Sequence, residues 1–341
     1  MSGIISIIGA LLVIAVLIFF HEFGHFYAGK RLGFRIDEFA IGMGPTVVSK
    51  EKDGTKFAIR ALPIGGLCMF HGEDEGIKDP ECFNAQPVWK RMIVVAAGPF
   101  MNIVLAVVIA IVILMSYGEY MPGIVELTDM NAPAAVAGME VGDIMLAVDD
   151  TEITYYTDCI PAIEGADPAG ADITVRRGDE DVILRVNDIY DPETGANRLG
   201  IMISPVRLRY GLFGAIANSF RYVWDIMMEM FRFLGSIFTT GIQSGDVAGP
   251  VGTISLIGQA VRAGFEVVLR LGVLISINLG IMNILPIPAL DGGRLLFMVI
   301  EAVRGRAISP EKEGMIHFAG LIFILGLMVL LTFTDVKLLF G

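Results

Sequence analysis

The chain has 341 residues, 54% of them hydrophobic and 18% charged, with a mean hydropathy of +0.67. That balance excludes an ordinary soluble globular protein. A net charge of −12 argues against nucleic-acid binding, and three widely spaced cysteines, Cys68, Cys82 and Cys159, argue against a disulfide framework or a thiolate zinc site.

Four stretches approach the roughly 20 residues that a bilayer-crossing helix needs: Gly3 to about Phe26, Met92 to Gly118, Leu271 to Gly293, and Ile316 to Thr334. No Lys or Arg precedes the first stretch and no small-residue cleavage pattern follows it, so it is expected to stay in place as a membrane helix. Lys30, Arg31 and Arg35 follow that span, Lys90 and Arg91 precede the second, and Arg304 and Arg306 follow the third. These ends are therefore expected on the cytoplasmic side of a cell membrane, with both termini and the long segment between spans two and three outside. Arg270 and the Arg207/Arg209 pair oppose this only weakly.

At the end of the first span stands "HEFGH", which fits H-E-x-x-H. On a helix His21 and His25 fall one turn apart on one face and can share a metal ion, with Glu22 beside it as a base. Ionisable groups inside a span are costly and mark function. The alternative is a pair of packed core histidines.

Residues 34–70 show short apolar-polar alternations, a "KDG" turn at Lys52–Gly54, and glycines at 42, 44, 65 and 66. They read as a cytoplasmic-side β-hairpin loop with bulges, able to take an extended peptide by strand addition. Together with the first two spans this loop makes a first half over 1–118.

Residues 119–206 form the single soluble domain expected in the chain, with strand-like "GIVELT", "DIMLAV", "DITVRR", "DVILRV" and "LGIMIS". Glu119 to Ser204 holds 18 acids and four bases, so the charge of the chain is concentrated there. Within it, "NAPAAVAGMEVGDIMLAVDD" (Asn131–Asp150) resembles the helix-turn-strand of PDZ domains in bacterial proteases, which implies a site for a peptide or chain terminus.

Residues 207–264 read as an amphipathic linker region. From 212 to 240, Arg221, Asp225, Glu229 and Arg232 share one face of a helix. Such a helix either lies on the outer leaflet or packs against the spans.

The second half of the core, 265–341, carries one acid inside its first span. Asp291 falls in "NILPIPALDGG" (Asn283–Gly293), where Pro286 and Pro288 break the helix and Gly292 and Gly293 are expected to loosen it again. A carboxylate there needs a cation, and a metal held by the first span would supply one. The other histidines are poorer third ligands, since His71 lies in the hydrophilic loop and His317 opens the last span.

"HEFGH", "GPFMN" (Gly98–Asn102), the PDZ-like insertion and "NILPIPALDGG" together resemble the site-2 protease family, in the branch of the regulator-of-sigma-E protease, over nearly the whole chain. The resemblance implies a polytopic α-helical membrane protein of about four spans with an inserted extracytoplasmic α+β domain. The activity implied is that of an intramembrane zinc metalloendopeptidase cutting single-span proteins or signal-peptide remnants. It also implies His21, His25 and Asp291 as ligands of Zn2+, Glu22 as catalytic base, Asn283 and the loop at Gly42 and Gly44 as substrate contacts, and Asn102 in packing or substrate contact. Several relatives carry two tandem PDZ domains where this chain has room for one. The rival readings are an inactive PDZ-bearing membrane adaptor with a structural metal, and an ion carrier relaying through Glu22, Asp291 and the histidines.

Overall fold

The computed structural model describes residues 2–73, 79–178, 180–192, 194–241 and 247–340. Helix α1 (Ser2–Leu32) carries no charged side chain before His21. At 1.5 Å per residue its 31 residues reach about 46 Å, more than the ~30 Å hydrocarbon core, so its basic end can extend beyond the lipid. Strands β1 (Ile36–Lys52) and β2 (Thr55–Phe70) follow, joined by a tight turn at Asp53 and Gly54. Both turn residues have positive φ, 50° and 71°, the pattern whose twist matches a hairpin. The register shows more than a simple ribbon: Glu38–Ile41 pairs with Gly66–Met69 on one side and with Lys56–Ile59 on the other. Each long strand is bent back, leaving the 66–70 stretch of β2 at an edge. Helix α2 (Val88–Ser116) carries Pro99 in its interior.

Residues 112–215 form one compact unit and the remaining two segments form the other. The inserted unit contains β3 (Glu119–Leu127), α3 (Pro133–Val136), β4 (Ile144–Val148), β5 (Thr151–Glu152), α4 (Cys159–Glu164), β6 (Gly170–Arg177), β7 (Glu180–Asn187), β8 (Tyr190–Asp191), β9 (Ala196–Asn197) and β10 (Ile201–Leu208). Its main sheet runs in the order β10-β3-β4-β6-β7, with every pair antiparallel. Alternation along β6 buries Ala171, Ile173 and Val175 while Asp172 turns to solvent, as a strand covered on one face requires. These side chains meet Met145, Val148, Cys159 and Val186 in a single apolar core.

One buried acid anchors that unit. Asp143 accepts from Arg177 Nε at 2.8 Å and Nη2 at 2.7 Å, and from the Glu140 backbone N–H at 2.9 Å. Burial alone would raise its pKa, but the Arg177 hydrogen bonds and the Glu140 N–H outweigh burial and hold it below the usual carboxylate value. A depressed folded-state pKa stabilises above the ordinary value near 4 and loses that contribution as pH falls toward the folded-state value. Asp143→Asn is therefore expected to lower the protection of β4 and β6 amides at pH 7, with the gap from wild type closing below about pH 4 in hydrogen exchange on the full chain.

The second unit continues with α5 (Leu212–Thr240), α6 (Pro250–Ala263), α7 (Phe265–Ile284), α8 (Asp291–Arg304) and α9 (Pro310–Phe340). Helices at Gly3–Leu32, Val88–Ser116, Phe265–Ile284 and Glu311–Lys337 are long and apolar enough to cross a membrane. Two expectations change here. Helix α6 belongs to the membrane core rather than to a linker: Gly9 of α1 lies against Val261, Gly258 of α6 lies against Ser6, and a Cβ on either glycine would crowd its neighbour. The buried Asp335 of α9 accepts from the backbone N–H of Gly249 at 3.0 Å and of Gly252 at 2.7 Å, an anion at the positive end of α6.

The expected third span, Leu271–Gly293, is in fact two helices. Leu285 precedes Pro286 and takes an extended conformation (φ −62°, ψ 143°), because a residue before proline is pushed out of the helical region, and α7 ends there. Helix α5 packs against the spans along part of its length. Val223 is buried, and Met227 and Phe231 line an apolar hollow with α2 and α7, whereas Phe213, Phe220 and Trp224 stay exposed.

Candidate active site

Among the described residues one group of His, Cys and acidic side chains has donor atoms close enough to hold a metal: His21, His25 and Asp291. His21 Nε2 and His25 Nε2 lie 3.1 and 3.5 Å from Asp291 Oδ2, and 3.4 Å from each other. Zinc bonds of about 2.0–2.1 Å place tetrahedral donors about 3.4 Å apart, so the three atoms form one face of such a tetrahedron and leave the fourth corner open. Asp291 Oδ2 is buried and, despite those two short distances, no N–H is aimed at it as a hydrogen bond. A carboxylate oxygen facing two ring nitrogens in that way fits a cation between them.

Both histidines are held from behind by α2. His25 Nδ1–H donates to the Val94 carbonyl at 2.9 Å, which leaves the Nε2 lone pair directed at the donor cluster. The Asn102 amide lies 3.0 Å from His21 Nδ1, with its Oδ1 buried and unpartnered. A ligating Nε2 requires the proton on Nδ1, and that N–H requires an acceptor; turning the amide by half a revolution supplies Oδ1 to it. Asn102 is 0% exposed and its amide stands behind the His21 ring, in line with the packing role that the resemblance also allowed.

Glycines set the spacing. A Cβ on Gly98 would overlap the His25 ring, and one on Gly24 would overlap the Ala97 carbonyl, so "HEFGH" and "GPFMN" meet backbone to backbone. Asp291 is the first residue of α8, where the helix dipole favours an anion. The two glycines after it do not loosen a helix. A Cβ on Gly292 would meet the Ile284 and Leu285 carbonyls and one on Gly293 the Ile287 carbonyl, so the first lets α8 start tight against the end of α7 and the second tight against the loop between them.

Glu22 lies in the field of His25, His21 and Asp291, and its carboxylate accepts the Cys68 backbone N–H. Gly66 packs on its Cγ. The stretch of hairpin beside the acid is thus 66–68 of β2, not Gly42 and Gly44. Gly42 sits at φ +88° against the Leu62 carbonyl and Gly44 near the Leu62 side chain, where the strands bend. Asn283 lies half-buried in the last turn of α7.

In the inserted unit, β10 lies at the rim of its sheet. Beside it a cavity of about 1390 Å³ is lined by Ile160 and Ile163 of α4 and by Leu199, Ile201 and Ile203.

An H-E-x-x-H helix of membrane-spanning length, closed by a distant aspartate, defines a membrane metallopeptidase. The chain belongs to peptidase family M50, the site-2 protease family, whose profile it matches over residues 9–327. It is 28% identical to the regulator of sigma-W protease RasP of Bacillus subtilis, over 98% of this chain and 99% of that one. It is also 28% identical to the zinc metalloprotease RasP of Shouchella clausii, over 98% and 100%. A relative from Clostridium perfringens is 34% identical over 97% and 98%.

Proposed function

We propose that this protein is an intramembrane zinc metalloprotease that cuts the transmembrane segments of single-span membrane proteins or signal-peptide remnants. The observation that carries the reading is the triangle of His21, His25 and Asp291 donors, 3.1 to 3.5 Å on a side, mounted on a helix long and apolar enough to cross a bilayer. Bound there, zinc supplies Lewis acidity, bringing the pKa of water toward neutrality. Glu22 takes the proton of the attacking water on its carboxylate as the C–O bond forms and the carbonyl opens, then delivers it to the leaving amide nitrogen, so that the C–N bond breaks as the carbonyl re-forms.

A helical substrate shields its own carbonyls, so it must unwind before attack. The 66–70 edge of β2 offers the freed backbone new partners by strand addition, with Asn283 as a donor to the substrate backbone or the developing oxyanion. The inserted domain is read as PDZ-like: β10 at the sheet rim and the cavity against α4, whose lining mixes isoleucines with Arg185 and Arg198, suit a peptide end added as a further strand. Lys30, Arg31, Lys90 and Arg91 support a cytoplasmic setting for the ends that bear them, with the termini and the inserted domain outside a plasma membrane.

The test is cleavage of a pre-trimmed single-span protein by the full chain in lipid nanodiscs. The expected products end inside the apolar segment, disappear with a zinc chelator and return with added zinc. Cleavage outside that segment, or cleavage indifferent to chelation, would overturn the proposal.

A further inference from the structure

His317 of α9 takes no part in the steps above, yet it is bonded to the loop that delivers Asp291. Its Nδ1 accepts the backbone N–H of Ala289 at 2.9 Å. Ala289 has φ +75°, one of four non-glycine residues among those described in the left-handed region, and the others are aspartates. An aspartate tolerates that conformation through local hydrogen bonds from its side chain, whereas alanine has none to offer. Occupying it costs alanine about a five- to thirtyfold factor in population. The loop supplies one hold of its own, the turn hydrogen bond from the Leu290 N–H to the Ile287 carbonyl at 3.2 Å around Pro288 and Ala289, and contacts from outside add to it.

Helix α9 supplies those contacts at two points. Gly320, buried and one turn beyond His317, lies directly against the Pro288 backbone, where a Cβ would overlap the Pro288 carbonyl. The His317 ring is fixed edge-on against Phe297 of α8, 5.4 Å between centroids and 67° between planes. To accept from Ala289, Nδ1 must be bare, so the ring proton sits on Nε2. Nε2 is buried and makes no hydrogen bond; the nearest acid, Glu313 Oε1, is 3.8 Å away. A buried polar atom left without a partner is a cost, and the Nδ1 bond to the loop offsets it.

We infer that His317 is a positioning residue for the metal site: by accepting the Ala289 N–H it holds the Pro288–Ala289 loop in its strained form and so sets Asp291 opposite His21 and His25. The inference rests on the zinc reading of that triad. It differs from a packing role in one respect, that the need for His317 comes from strain at Ala289. Glycine adopts φ +75° freely, so Ala289→Gly removes the need.

The experiment measures zinc affinity by chelator competition on the full chain in nanodiscs, alongside kcat and KM. His317→Leu is expected to weaken zinc binding about tenfold, in the range of other outer partners of metal ligands, and to lower kcat with KM little changed. His317→Asn, whose Oδ1 can replace Nδ1 as acceptor, is expected to stay within about threefold of wild type. In the Ala289→Gly background His317→Leu is expected to cost less than about threefold, since the strain is gone. Wild-type affinity in His317→Leu, or an undiminished tenfold loss in the glycine background, overturns the inference. Failure of the wild-type chain itself to bind zinc would instead overturn the proposed function.

Discussion

Glu22→Gln is expected to leave zinc at the wild-type level and to slow cleavage by at least about 10³-fold, within the range general acid–base groups contribute. Glutamine keeps the length and polarity of the side chain, and its amide oxygen can still accept the Cys68 N–H that now holds the glutamate. It cannot take up a proton from water. The packing of Gly66 on Cγ is untouched by the change, so the hairpin stays where it is. Metal content and product yield measured on the same preparation separate the two roles. Cleavage at the wild-type rate would remove Glu22 from the mechanism, and loss of zinc would make it a ligand or a scaffold element.

Asp291→Ala is expected to weaken zinc binding beyond the 10–100-fold typical of outer partners, and to abolish cleavage with it. Two imidazoles at helical spacing hold a metal at only two corners, and the alanine leaves their facing nitrogens, 3.4 Å apart, with no anion to offset the cation. The same substitution removes an acid from the first position of α8, a loss of about 0.3–1 kcal/mol in helix stability that a control at an exposed helix start would reproduce. Equilibrium dialysis against zinc at graded concentrations, with circular dichroism on the same samples, distinguishes a vacated site from a misfolded chain.

The parts of the site readable from the amino-acid sequence were those with a local rule. His21 and His25 follow from helical spacing, and Asp291 from the cost of a lone charge in an apolar stretch broken by prolines. The break itself was legible at Pro286, although its consequence, that α7 ends and a separate α8 starts at Asp291, required knowing which carbonyls Gly292 and Gly293 approach. The setting of Asn102 stayed open because an asparagine in a span looks the same whether it faces substrate or the back of an imidazole. The role of Gly24 and Gly98 was hidden for a similar reason: close approach is a property of two segments, and neither segment alone records it. Helix α6 was hidden by its length, since 14 residues are too few to cross a bilayer and its contacts with α1 and α9 are remote in sequence. The hairpin turn at Asp53–Gly54 was legible because a turn of that kind needs two left-handed residues side by side.

The distribution of the metal site along the chain bears on its synthesis. The histidines and the α2 groups that orient them, Val94 and Asn102, all lie within the first 102 residues, whereas Asp291 lies 266 residues beyond His25. A ribosome therefore delivers a pair of aimed imidazoles early and the closing carboxylate only after the inserted domain and α7 have been made. On the proposed reading of the site, the emerging chain until then holds an incomplete centre among other nascent membrane segments, and its cutting power arrives last, with the helix that completes it.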